Sequence, residues 1–162
     1  MHPILIVQLL VLVGVANALP VIAKKLMGTA GDWPLDGSIT LRDGRPLFGR
    51  SKTIRGVLIA LLGTPVVAVL LGLDWQLGVL VAASAMAGDL LSSFIKRRLG
   101  LAPSSQALGL DQVPESLFPL IAARCVVPLS WLDVAVGTAI FAITELVVSR
   151  ILFRLNLRDR PY

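Results

Sequence analysis

This 162-residue chain holds one cysteine and one histidine. Cys125 sits inside an apolar run with no partner for an internal disulfide, and His2 stands next to the N-terminus. A Cys/His metal centre draws three or four ligands from these residue types, so the inventory excludes it. Charge is also scarce, at 15% of residues against about 25% in typical soluble domains. Hydrophobic residues make up 56% of the chain and the mean hydropathy is +0.82, so water is not its main solvent. The net charge of +5 would prompt a nucleic-acid reading in a soluble protein. Here the cations gather at the ends of apolar runs, and no nucleic-acid partner is expected.

Five such runs stand out, at about 3–23, 54–73, 75–95, 113–130 and 131–153. Each approaches the ~20 residues that cross a bilayer core as a helix. The expected fold is therefore all-α, a polytopic integral membrane protein of about five transmembrane helices. The whole chain, 1–162, reads as one transmembrane catalytic domain, with a polar loop after the first helix. Of the fifteen Lys and Arg residues, all but Arg124 fall on one side of this arrangement. They comprise Lys24 to Arg55, then Lys96, Arg97 and Arg98, then Arg150, Arg154, Arg158 and Arg160. The links "GLDWQ" and "PLSWLD" have none, and they place Trp75 and Trp131 at the other interface. The positive-inside rule makes the cationic side cytoplasmic and puts the N-terminus outside. "ANA" at 16–18 resembles a signal-peptidase site, but no basic residues precede the run, and cleavage is not expected. His2 then lies across the membrane from the polar residues, which excludes a Ser–His–Asp triad.

The third run contains "AMAGDLLSSFIKRRLGL". Asp89, Ser92, Ser93 and Lys96 follow the i, i+3, i+4, i+7 pattern and share one helical face. A lone charge at the bilayer centre costs about 2.5–3.5 kcal/mol on insertion scales, so such an aspartate is normally paired or functional. The bland reading is a pair with Lys96 or an arginine. The loop 24–53 carries "WPLDGSITLRDGRPLFGRSKTIRG", with glycines, Asp36, Asp43 and Lys52, and Arg55 follows at the next run's start. Glycines let backbone N–H groups approach phosphate, and Lys and Arg supply charge for it. Gly44-x4-Gly49-Arg50-Ser51 imitates a P-loop but lacks the lysine after the second glycine. "LGLDQVPESL" brings Asp111 and Glu115 to the start of run four. Carboxylates of this kind bind Mg²⁺ when a phosphate substrate supplies further oxygens. Acid, base and glycine at a membrane surface suit Mg²⁺-assisted phosphoryl chemistry.

"FGRSKTIRG", then "GDLLSSFIKRRLG" one hairpin later, then "LDQ", resemble the CDP-archaeol synthase family, and more distantly the phosphatidate cytidylyltransferases. "ANALP" and "PLDGS" are similar to the archaeol family's first helix and first loop. The resemblance implies an integral-membrane enzyme that joins CTP to a lipid phosphate, leaving a CDP-activated lipid and releasing pyrophosphate. It matches Asp89 and Asp111 to Mg²⁺-binding acids. It also matches Lys52, Thr53 and Arg55, with Lys96, Arg97 and Arg98, to a phosphate-contacting cluster. Ser93 shares the polar face of Asp89, and Asp36 and Asp43 match acidic positions of the first loop. Two departures stand out: the Gly-His-Gly-Gly segment of the phosphatidate enzymes is absent, and "VPES" replaces a more apolar stretch. They leave the lipid open between archaetidic acid, phosphatidic acid and another phosphorylated prenoid. The multi-pass protein is expected in the cell membrane with its site facing the cytoplasm. The competing readings are a transporter using Asp89, Arg124 and Glu145 as a relay, and a non-catalytic binder of anionic lipid.

Overall fold

The computed structural model describes residues 2–102, 105 and 107–154, apart from the side chains of 152 and 153. Arg158 and Arg160 lie outside the described residues. The described residues form five helices: α1 (Pro3–Met27), α2 (Ile54–Leu70), α3 (Trp75–Arg98), α4 (Gln112–Arg124) and α5 (Trp131–Arg154). Three of them are long and apolar enough to cross a membrane, namely Pro3–Met27, Trp75–Arg98 and Trp131–Ile151. Successive helices run antiparallel, and α1 touches all four others.

Two of the expected spans are shorter than the apolar runs that predict them. Helix α2 has 17 residues and α4 only 13. At 1.5 Å per residue α4 is about 20 Å long, less than the ~30 Å hydrocarbon layer. Run four is apolar to residue 130, but Pro128 cannot donate to the Arg124 carbonyl, and its ring clashes there. The helix ends at Arg124, and residues 125–130 continue without helical structure.

The helices meet where glycine faces proline. A Cβ on Gly56 would lie 3.1 Å from the Pro20 side chain, and one on Gly78 would lie 2.6 Å from the Pro65 backbone. Gly88 makes a still closer approach, 2.2 Å, to the Pro114 carbonyl oxygen. In lipid there is no hydrophobic drive between helices, so close contact of small residues carries the packing. Large apolar side chains such as Ile4 and Leu70, 76% and 79% exposed, point outward. In water such a surface would aggregate; it suits lipid.

The apolar core occupies one end of the bundle. Ile6, Leu9, Leu12 and Val13 of α1 pack with Ala68 of α2, Leu77 and Val81 of α3, Leu120 of α4, and Val134 and Phe141 of α5. These residues come from the beginnings of α1, α3 and α5 and from the ends of α2 and α4. The opposite end, where α3 finishes and α2 and α4 start, holds the polar residues.

Candidate active site

At that polar end α3 presents Asp89, Ser92, Ser93 and Lys96 on one face, as the spacing predicts. Lys52, from the loop just before α2, donates to both carboxylate oxygens of Asp89. Lys96 Nζ lies 2.6 Å from Asp111 Oδ1 and also donates to the Ser105 carbonyl at 3.2 Å. The four side chains are between 12% and 21% exposed, so both pairs are largely shielded yet open to a ligand. Asp89 and Lys96 are two helical turns apart, a rise of about 10 Å. The second oxygen of Asp111 accepts the Ala107 N–H at 2.9 Å, which fixes the approach to α4. Buried Arg97 feels the charge of Asp111 and donates to the Ala102 carbonyl at 2.9 Å. The bland pairing of Asp89 with Lys96 is not what forms; each lysine takes a different aspartate.

Loop 28–53 is built from its own polar groups. Isolated bridges join Pro34 to Thr53 and Thr40 to Pro46. Asp36 is buried beneath the loop and accepts three backbone N–H groups, from Ser38 (3.0 Å), Phe48 (2.9 Å) and Gly49 (3.0 Å). Gly49 has φ +91°, a conformation that L side chains rarely adopt. Burial pushes the Asp36 carboxyl up, but the three N–H donors outweigh it and hold the group below its ordinary value. The hairpin tip is clasped to the end of α3. Arg98 Nη1 contacts both Asp43 oxygens at 2.7 Å, and its Nη2 donates to the Pro46 carbonyl at 2.5 Å. Its guanidinium also lies 5.3 Å from the Phe94 ring centroid. Arg45 donates in return to the Arg98 carbonyl.

The expected phosphate cluster is thus divided. Lys52 and Lys96 sit on the two aspartates, with Arg97 beside Asp111. Thr53 is the N-cap of α2, its Oγ1 accepting the Gly56 N–H at 3.1 Å. Arg55 is buried and turns away, donating to the carbonyls of Gly28 (3.1 Å) and Ala30 and to Asp32 (3.5 Å). Ser93 is buried on α3. Arg124 stacks on Trp131, 4.1 Å from the ring centroid. Glu145 lies fourteen residues further along α5, about 21 Å by helical rise, beside Glu115. A relay from Arg124 to Glu145 is not formed.

The sequence places Glu115 with Asp111 at the start of run four, and the fold brings it to Asp89 instead. Glu115, partly buried in the first turn of α4, shares a side-chain hydrogen bond with Asp89 and lies within charge range of Lys52 and Glu145. Its only signal in the sequence is an acid at the start of an apolar run.

Asp89 and Asp111 are hard oxygen donors, the kind Mg²⁺ takes in ones and twos together with substrate phosphates. Among the described residues no three His, Cys, Asp or Glu side chains form a metal-binding group. The donor set therefore fits an ion that completes its shell from phosphate and water, not a closed protein cage.

Comparison with known proteins agrees with this architecture. The CDP-archaeol synthase of Pyrococcus furiosus is 42% identical over 123 residues, which span 69% of this chain and 70% of that protein. The CDP-archaeol synthase of Thermofilum pendens is 33% identical over 156 residues, covering 91% of this chain and 76% of the other. A solved structure of an intramembrane enzyme for archaeal membrane lipid biosynthesis superposes with a TM-score of 0.77 at 30% identity. That match covers 88% of this chain and 90% of the solved one. The CarS-like family model, described as CDP-archaeol synthase, matches residues 3–162. This membrane-embedded chain belongs to the CDP-archaeol synthase family.

Proposed function

We propose that residues 1–162 act as a single catalytic domain that transfers CMP from CTP to an archaetidic-acid- or phosphatidic-acid-like lipid at the cytoplasmic face of the cell membrane. A CTP-dependent cytidylyltransferase acting on a lipid phosphate follows from family membership. The residue roles rest on one observation: two Lys–Asp pairs, Lys52–Asp89 and Lys96–Asp111, stand along one face of α3.

An oxygen of the lipid phosphate attacks the α-phosphorus of CTP. The new P–O bond forms as the bond from that phosphorus to the bridging oxygen breaks, and pyrophosphate leaves with the electron pair. A phosphate monoester has its second pKa near ~6, so at neutral pH the nucleophile is already a dianion. No general base is required, which suits a site without histidine. Asp89 and Asp111 would hold Mg²⁺, whose charge offsets that of the triphosphate. Lys52 and Lys96 are placed to exchange their carboxylates for phosphate oxygens when nucleotide arrives, with Arg97 and Arg98 adding positive charge from the end of α3. Thr53 fixes the positive end of α2 beside Lys52. Asp36 and Arg55 serve the nucleotide by shaping the loop that carries Lys52. The cation distribution supports a cytoplasmic orientation.

The test is a panel of archaetidic acid, phosphatidic acid and a polyprenyl phosphate, each with CTP and Mg²⁺ and the purified full chain. A CDP-lipid from a diacyl or diether phosphate is the expected product. Exclusive use of the polyprenyl phosphate would overturn the lipid assignment. Equal turnover without divalent metal would overturn the role given to Mg²⁺.

A further inference from the structure

Gly88 precedes Asp89 on α3 and meets α4 at a very close crossing. A Cβ there would lie 2.2 Å from the Pro114 carbonyl oxygen and 3.0 Å from the Glu115 nitrogen, so a residue without a side chain is needed. One turn on, the buried Ser92 hydroxyl is shared between the carbonyls of Leu110 (2.6 Å) and Gly88 (3.0 Å). These two contacts set the level at which α4 approaches α3. They deliver Glu115 to Asp89, where the two side chains share a hydrogen bond. Asp89 is thereby held from two sides, by Lys52 of the loop and by Glu115 of α4.

The two partners differ in what they do when substrate arrives. Lys52 is cationic and is drawn to the triphosphate, so its grip on Asp89 is lost in the complex. Glu115 has no positive charge to draw it to phosphate and sits on a helix locked by Gly88 and Ser92, so it does not change sides. The geometry points to Glu115 as a positioning residue: it orients the Asp89 carboxylate for metal and phosphate after Lys52 has turned away, without being a ligand itself. This rests on the metal-binding role given to Asp89 above. Removal of a partner that orients a metal ligand typically costs 10–100-fold in metal affinity or activity.

The test compares Glu115→Gln, Glu115→Asp and Glu115→Ala in the full chain, with Asp89→Asn as reference. Glutamine keeps the length and a hydrogen-bonding head; aspartate is one methylene short; alanine removes the group. Two readouts are taken: steady-state kcat and KM for CTP, and binding of Mn²⁺ followed by electron paramagnetic resonance in the presence of a non-hydrolysable CTP analogue. The expected result is near-normal kcat and Mn²⁺ affinity for Glu115→Gln. For Glu115→Ala and Glu115→Asp, kcat and Mn²⁺ affinity should fall about 10–100-fold with little change in KM. Where the alanine variant does not fold, the aspartate–glutamine contrast decides. Equal loss in glutamine and alanine variants would make Glu115 a ligand or an essential charge and overturn the positioning role, as would wild-type behaviour of both Glu115→Asp and Glu115→Ala. Asp89→Asn with normal activity would instead sink the underlying assignment of Asp89.

Discussion

Lys52 and Asp89 are 37 residues apart in sequence and meet as an ion pair at the polar end of the bundle. Their meeting follows from the α2–α3 hairpin. Pro65 and Gly78 are in contact where these helices cross. Thirteen residues back along one arm and eleven forward along the other bring Lys52 and Asp89 to the same level. Replacing either partner strands the other in a shielded place. Lys52→Ala is expected to raise KM for CTP about tenfold, and Asp89→Asn to lower kcat by about 100-fold or more. The double variant should be more thermostable than the sum of the singles predicts, with a coupling of about 1–3 kcal/mol. Additive melting temperatures would mean that the pair carries no stability.

Helix crossings give a second prediction. Gly88→Ala forces a methyl group against the Pro114 carbonyl and should cost about 1–3 kcal/mol or more. Gly14→Ala is the control, since a Cβ there meets nothing within 4 Å. Melting curves in detergent should separate the two substitutions clearly. Equal stabilities would contradict the close α3–α4 approach.

Arg55 ties the turn after α1 through the carbonyls of Gly28 and Ala30 and through Asp32. Arg55→Ala should loosen residues 28–33 toward proteases and destabilise the chain by about 1–2 kcal/mol, because these part-buried hydrogen bonds to a charged donor are lost. Lys52→Ala should leave that cleavage rate unchanged. A loss of CTP affinity in Arg55→Ala with no change in cleavage would return Arg55 to direct phosphate contact.

Asp36 predicts how the loop responds to acid. Its folded pKa lies below the ordinary 3.8. Such a carboxyl contributes its full stabilisation at every pH above the unfolded value and loses it only as pH falls toward the folded one. Hydrogen exchange of residues 36–49, corrected for intrinsic rates, should therefore be flat between about pH 8 and 5 and rise only under more acidic conditions. Asp36→Ala should show fast exchange already at neutral pH. Loosening of the native loop near pH 6 would contradict the three-donor anchor.

Much of this was legible in the sequence because helical periodicity is local. The apolar runs located all five helices, Trp75 and Trp131 marked the beginnings of α3 and α5, and the Asp89–Lys96 face followed from a spacing of seven. Contacts between elements were not legible in the same way. That Lys52 reaches Asp89, while Lys96 takes Asp111, depends on the level at which α2 and α4 cross α3. Glu115 is visible as an acid at the start of run four, but its approach to Asp89 depends on Gly88, and a glycine in an apolar run has no visible purpose until its neighbour is known. The family resemblance groups Arg55 with Lys52, yet Arg55 lies on the first turn of α2 and points back toward the turn after α1. The shortness of α4 was written in Pro128, but hydropathy alone carries the run past it.

Orientation is tested by labelling. In a Cys125→Ser background, Arg50→Cys should react with an impermeant thiol reagent only after the cells are opened. Asp74→Cys, in the link between α2 and α3, should react in intact cells. The reverse pattern would turn the molecule over and place the Lys–Asp pairs outside.

The central claim is that this chain moves the α-phosphoryl group of CTP onto a lipid phosphate through the Asp89 and Asp111 site. The most direct measurement supplies CTP labelled at the α- or the γ-phosphate to the purified protein with archaetidic acid and Mg²⁺, then counts label in the lipid and aqueous fractions. The account predicts α-label in the lipid and γ-label in aqueous pyrophosphate in equal amounts, with both signals lost in Asp89→Asn and Asp111→Asn variants that still fold. Label in the lipid from γ-labelled CTP, or undiminished α-transfer by either variant, would contradict it.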